Sequence, residues 1–170
     1  MKHEDNIAIR PASFRDYRAL CTIFNQSNQL HRELRPDYYR AVDPVITPFK
    51  YFLMAAFYKT PLGKRNLCVQ IAEDTQGKPI GAMFAESVKR SSLNWSRHPK
   101  EAYINNIHVD ENWRGNGIGT KLLQCAEAWA RATNHPVLTG RIVENNENSL
   151  DLSVRNGFHR TGINIAKELK

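Results

Sequence analysis

Cysteine is scarce in this sequence, and long apolar runs are missing. Cys21, Cys68 and Cys125 are widely spaced thiols, too few and too dispersed for a disulfide scaffold or a thiolate metal cluster. They suit a reducing compartment. No stretch approaches the roughly 20 apolar residues needed to cross a bilayer. The first residues, MKHEDNIAIRPASFRDY, place acids where a secretory leader needs an apolar run. The expectation is a cytoplasmic protein with no membrane partner. Internal repeats and low-complexity linkers are missing too, so no domain boundary is indicated. Basic and aromatic residues do not recur together as a stacking groove or recognition helix requires, which argues against a primary role in binding nucleic acid. No metal site is expected, because His98 and His108 are distant from useful partners and His135 and His159 fall in turn-like contexts.

What is present is enough for one core. A chain of 170 residues, 41% of them hydrophobic, is expected to fold as a single domain over residues 1–170. Its 24 Lys and Arg against 17 Asp and Glu leave a net charge of +7. That excess favours an anionic ligand or simply solubility. It disfavours highly cationic acceptors unless the Glu33 and Asp37 region makes the cleft acidic.

The hydrophobic pattern gives an order of elements. IAIR, at Ile7 to Arg10, alternates as a first strand, and Tyr17, Leu20, Cys21 and Phe24 carry a helix after Pro11 to Ser13. The next segment is broken by Pro36, Pro44 and Pro48 before FKYFLMAAFYK, a short apolar helix. LCVQIAE (67–73) and IGAMFAES (80–87) flank a Gly77-Lys78 turn and form an antiparallel hairpin. A polar loop, 89–100, precedes a strand over Ala102 to Val109. Thr120 to Ala132 is the clearest helix, with Leu122, Leu123, Ala126, Trp129 and Ala130 as its apolar stripe. PVLTGRIV (136–143) reads as a strand, parallel to 102–109 through that crossover helix. ENNENSL caps a second helix running through Arg155 and ended by Asn156 and Gly157, and one or two last strands follow over 158–169.

Three glycines on alternate positions, RGNGIG, stand at the mouth of the clearest helix. Helix N-termini leave N–H groups without backbone partners and carry a partial positive charge, so anions bind there. Gly115, Gly117 and Gly119 can take positive φ and leave no Cβ between the backbone and a ligand, and Arg114 adds a multi-donor charge. A Walker A loop needs Lys and then Ser or Thr after its last glycine, which GIGTKLL inverts. A dinucleotide fingerprint needs Gly-x-Gly-x-x-Gly at a first strand, which this is not. A turn serving packing alone is the remaining alternative.

On Arg114, Gly117 and Gly119 the stretch resembles the acyl-CoA loop of the GNAT superfamily of N-acetyltransferases. The likeness extends upstream through YINNIHVDENW and downstream through ENNENSLDLSVRNGF, about the last 70 residues, with the hairpin and first strand-helix unit fitting more loosely. The resemblance implies a mixed, mostly antiparallel twisted sheet flanked by helices, with a splayed parallel strand pair. It also implies transfer of an acetyl group from acetyl-CoA by direct attack of a primary amine, the acceptor being a small-molecule or protein amine. The pantetheine arm would run along the strand at Ile107, His108 and Val109. The pyrophosphate would sit over Arg114, Gly115, Asn116, Gly117, Ile118, Gly119 and Thr120, and Asn146 would meet the pantetheine arm.

An ammonium must lose a proton before its nitrogen can attack a thioester. Glu101, at the start of the 102–109 strand where several relatives carry the base, is the first candidate; its alternative is a solvated carboxylate. His108 is the rival base, with an ordinary pKa near 6.5, unless it points to the other face. Four residues before Gly157, where many relatives place a Tyr that protonates the departing thiolate, this chain has Ser153. A Ser hydroxyl is a poorer acid than a phenol, though a thiolate leaves unaided near neutral pH. That departure supports a second reading, a non-catalytic acyl-CoA-binding or regulatory module. A third is a protein-binding domain that makes no use of CoA. Tyr103, Asn105 and Asn106, with His31, Tyr38 and Tyr39, are weaker candidates for the acceptor pocket, and a homodimer is the default assembly.

Overall fold

A computed structural model describes residues 7–40, 66–89, 98 and 100–162. The order is β1 (Ala8–Pro11), α1 (Tyr17–Leu34), β2 (Leu67–Glu73), β3 (Pro79–Lys89), β4 (Lys100–Val109), α2 (Ile118–Ala132), β5 (Leu138–Gly140) and α3 (Glu147–Arg155). The strands form one sheet in the order β1-β2-β3-β4-β5, antiparallel except for the parallel pair β4 and β5. The mixed sheet and its parallel pair are as expected. The apolar helix read in FKYFLMAAFYK, most of the 89–100 loop and the end of the terminal segment lie outside the described residues.

Each sheet face is covered by one helix. Leu20, Ile23 and Phe24 of α1 pack with Val69, Ile71 and Ala82 on one side. Ile118, Leu122 and Ala126 of α2 pack with Cys68, Met83 and Ala85 on the other. The stripes follow the 3.6-residue period on the helices and the two-residue alternation on the strands. At the start of α1, Asp16 accepts both Arg10 guanidinium nitrogens, at 2.8 and 2.9 Å, and the Ser13 hydroxyl at 2.8 Å. Arg10 also bonds Glu73, so one guanidinium ties β1, β2 and the helix start together.

Several boundaries differ from the pattern-based ones. α2 begins two residues early, at Ile118, because Gly117 takes the cap position. β4 begins at Lys100, placing Glu101 within the strand. β5 is only Leu138–Gly140; residues 141–143 leave the ladder. Residues 158–162 form no strand. In both cases the apolar residues that suggested a strand have no neighbouring strand to pair with among the described residues.

Candidate active site

β4 organises the site. Its register against β3 pairs Phe84 with Asn106 and Ala85 with Ile104, leaving Asn105 as an extra residue. Such a bulge reverses the phase of side-chain alternation. Ile104 and Ile107, three apart, therefore both pack on the α2 side. Directly paired residues share a face, so His108 lies with Ala82 and Asn106 with Phe84 on the α1 side, followed past the bulge by Tyr103 opposite Glu86 and Glu101 opposite Val88. Glu101 and His108, seven apart, would face opposite ways in a regular strand. The bulge sets them on one face.

Glu101 is 5% exposed, which removes the solvated-carboxylate alternative. Thr139 on β5 points its hydroxyl to Glu101 Oε2 at 3.3 Å. His108 is also buried, and its pKa is pushed down to about 4, first by burial and then by the charge of Arg114. A neutral imidazole at pH 7 that resists protonation is a poor acceptor for an ammonium proton. Asn105 donates to Glu86 at 2.7 Å. Asn106 Oδ1 is buried with no hydrogen-bond partner, a vacancy that folded proteins rarely leave without a use.

Parallel pairing with β5 covers only Ala102, Tyr103 and Ile104. Past Ile104 the two strands part, and the backbone of Asn105 to Val109 has no strand on that edge among the described residues. Ile107 and Val109 turn their side chains into the α2 core, so only their main chain is available at this opening. His108 likewise offers it main chain, its ring lying on the other face.

Beyond β4 the chain turns into α2. The Asp110 carboxylate accepts from Asn112 N at 3.0 Å, and Arg114 Nε donates to Val109 O at 3.1 Å, tying the turn to the strand end. Asn116 closes it from within through Nδ2 to Trp113 O at 3.1 Å. Gly115 and Gly117 have φ of 83° and 73°, the left-handed region open to glycine. A Cβ built at either would meet nothing within 4 Å, so the turn leaves open space in front of the first α2 amides. An anionic pyrophosphate fits that arrangement of helix N-terminus, bare backbone and guanidinium.

Gly119 differs from the reading given to it. It is helical, and a Cβ there would lie 2.9 Å from Leu152 Cδ2. Its missing side chain lets α3 approach α2; ligand access does not require it. Ile118 is a core anchor at 2% exposure, and Thr120 Oγ1 accepts from Asn156 at 3.4 Å, again joining α2 to α3. Asn146 caps α3 by accepting from Ser149 N at 3.2 Å. Ser153 lies half-buried two residues before the end of α3. Its carbonyl receives Asn156 N and Phe158 N.

Two further residues, Thr139 and Arg141, make contacts that the sequence pattern does not indicate. Both stand in PVLTGRIV, Thr139 inside β5 and Arg141 just past its end. Arg141 Nη2 donates to the Tyr39 hydroxyl at 3.1 Å and its guanidinium lies over Tyr38 at 5.3 Å. The His31 ring sits 5.3 Å from that of Tyr39. The weakly supported trio His31, Tyr38 and Tyr39 is thus gathered at the end of α1. Asp37 and Glu144 are both paired with Arg35, so Asp37 does not supply an unpaired acidic charge.

The profile of the Acetyltransferase (GNAT) family matches residues 27–158. A tetramutant of BH1408 from Bacillus halodurans superposes with TM-score 0.79 at 21% identity, covering 95% of this chain and 99% of that one. AAC(6')-Iy, complexed with the bisubstrate analogue CoA-S-monomethyl-acetylneamine, gives TM-score 0.72 at 14% identity over 98% and 99%. A predicted acetyltransferase from Clostridium acetobutylicum with acetyl-CoA gives 0.70 at 16% over 95% and 96%. No curated protein matches at a significant level. The chain belongs to the GNAT family of acetyltransferases. Its activity is acetyl-CoA-dependent N-acetylation. No group of His, Cys, Asp or Glu among the described residues is placed to hold a metal, and no helix among them is long and apolar enough to cross a membrane.

Proposed function

We propose that the amine is received on the α1 face of β4 and attacks the thioester directly, while the cosubstrate lies along the parted edge of the same strand. The observation that carries this reading is the bulge at Asn105, which lines up Glu101, Asn106 and His108 on one face beside the opening between β4 and β5. Acetyl-CoA supplies the activated carbonyl. The amides at the start of α2, with Arg114, hold its pyrophosphate, and the main chain of Ile107 to Val109 orders its pantetheine arm. Asn146 contributes at the start of α3.

Glu101 takes the ammonium proton, directly or through water, and its carboxylate draws the cationic acceptor toward the strand. Asn106 Oδ1 accepts an N–H of the acceptor. Because its pKa is depressed, His108 stays neutral and shapes the pocket. Ser153 stands in for the phenol of many relatives and at most hydrogen-bonds the sulfur, so the thiolate leaves without a strong proton donor. Most of the rate enhancement then comes from aligning nitrogen and carbonyl.

The reading extends to one domain over residues 1–170, acting in the cytoplasm, where reduced thiols persist, and as a homodimer. Three free cysteines suit that compartment. The decisive experiment is the pH–rate profile of CoA release for wild type and Glu101→Ala. Loss of the base should lower kcat/KM by about 100-fold near pH 7 and by less at high pH, where the amine is already free. An unaltered profile removes Glu101 from this role.

A further inference from the structure

We propose that Arg141 selects acceptors that carry an anionic group, a carboxylate or phosphate, on the same molecule as the amine to be acetylated. This rests on the acetyltransferase reading of the β4 face and specifies its substrate class.

The argument starts from charge. Arg35 and Arg141 both stand near the end of α1, and they are treated differently. Arg35 is neutralised by two carboxylates, donating from Nε and Nη2 to Asp37 at 2.9 and 2.8 Å and from Nη1 to Glu144. Among the described residues Arg141 has only the phenols of Tyr39 and Tyr38 as partners. Those contacts fix the group without cancelling its charge, and a guanidinium has five N–H donors, most of which remain for a ligand. Its field reaches inward, because its charge adds to burial in lowering the pKa of His31.

Position gives the second half. Thr139 hydrogen-bonds Glu101, and Arg141 follows two residues later, just past the end of β5. Past the Glu101 carboxylate, this end of the site therefore presents the unpartnered Asn106 carbonyl oxygen and, beyond Gly140, a cation with no carboxylate partner among the described residues. An ammonium belongs at the inner end and an anion at the outer. A polycationic acceptor would set another positive charge against Arg141, consistent with the net charge of +7. Arg141 is a specificity residue here and takes no part in proton transfer.

The test measures CoA release with matched acceptors: ethanolamine against phosphoethanolamine, glucosamine against glucosamine 6-phosphate, and propylamine against β-alanine. Wild type should favour the anionic member by about 10-fold or more in kcat/KM, mostly through KM, as expected for a charge-assisted bidentate contact. The phosphate and carboxylate pairs show which anion is recognised. Arg141→Gln should bring the ratio close to one, and Arg141→Lys should restore part of it, since a point charge keeps the attraction but loses the fork. A wild-type ratio at or below one, or a ratio unmoved in Arg141→Gln, overturns the assignment. Turnover of neutral amines without preference would do so while leaving the acetyltransferase reading standing. Failure to release CoA with every acceptor would overturn both.

Discussion

The two faces of β4 are made from one ten-residue strand and do opposite things. Toward α2 it presents Ile104, Ile107 and Val109, which lock into an apolar layer with Ile118, Leu122 and Ala126. Toward α1 it presents Glu101, Tyr103, Asn106 and His108, polar groups set among a few apolar neighbours. The first face holds the helix whose N-terminus opens onto the glycine turn. The second holds a buried carboxylate, a neutral imidazole and an amide oxygen with no hydrogen-bond partner. In the proposed mechanism cosubstrate binding and proton transfer are separated by the thickness of a strand, and the separation depends on Asn105.

Deleting Asn105 should have the largest effect. A regular strand would turn Glu101 and Tyr103 into the α2 core and Ile104 outward, and burying a carboxylate there costs about 3 kcal/mol or more. Denaturant unfolding should show this loss; an unaltered midpoint would mean the bulge is not what aligns the two halves. Next comes Gly117→Val. A β-branched residue at φ 73° is strained and projects into the open side of the turn. Calorimetric titration with acetyl-CoA should lose about 100-fold in affinity or more, and an affinity equal to wild type would move the phosphate site elsewhere.

A smaller effect comes from the acceptor face alone. His108 titrates near pH 4 in the folded chain and near 6.5 when unfolded. Between those values the unfolded chain binds more protons, so the stability present above about pH 6.5 is lost as pH falls toward 4, by up to about 3 kcal/mol. His108→Asn should flatten that dependence. His31 and His135, also shifted downward, leave a residual slope. Equal slopes in the two proteins would show that His108 is solvated. The smallest expected change is in Gly119→Ala. The approaching atom is the mobile end of Leu152, and alanine gains up to about 1 kcal/mol of helix propensity. Net stability should stay within about 1 kcal/mol by thermal melts, in contrast to Gly117.

Much of this was legible from local pattern. The hairpin strand 67–73 matches β2, α2 follows its apolar stripe, and the Asn146 cap and the Asn156-Gly157 stop of α3 stand where side-chain chemistry placed them. Less legible was anything that depends on a partner strand. PVLTGRIV has strand composition throughout, but only three of its residues find a ladder. Thr139 and Arg141 drew no notice because their meaning lies in Glu101 and Tyr39, 38 and 102 residues away. Gly119 was grouped with Gly115 and Gly117 because sequence shows the missing Cβ and not the neighbour that needs the space.

The sequence by itself determined the elements with strong periods, the glycine turn at the mouth of α2 and the family likeness carried by that turn. These rest on interactions within a few residues, where backbone sterics and helix-end donors act locally. The tertiary structure alone shows which residues of β4 share a face, that Glu101 is buried while its strand parts from β5, and that Arg35 has carboxylate partners where Arg141 has phenols. A bulge changes the phase of a strand without changing its composition, and a charge is cancelled or left by whichever distant residue the fold brings beside it.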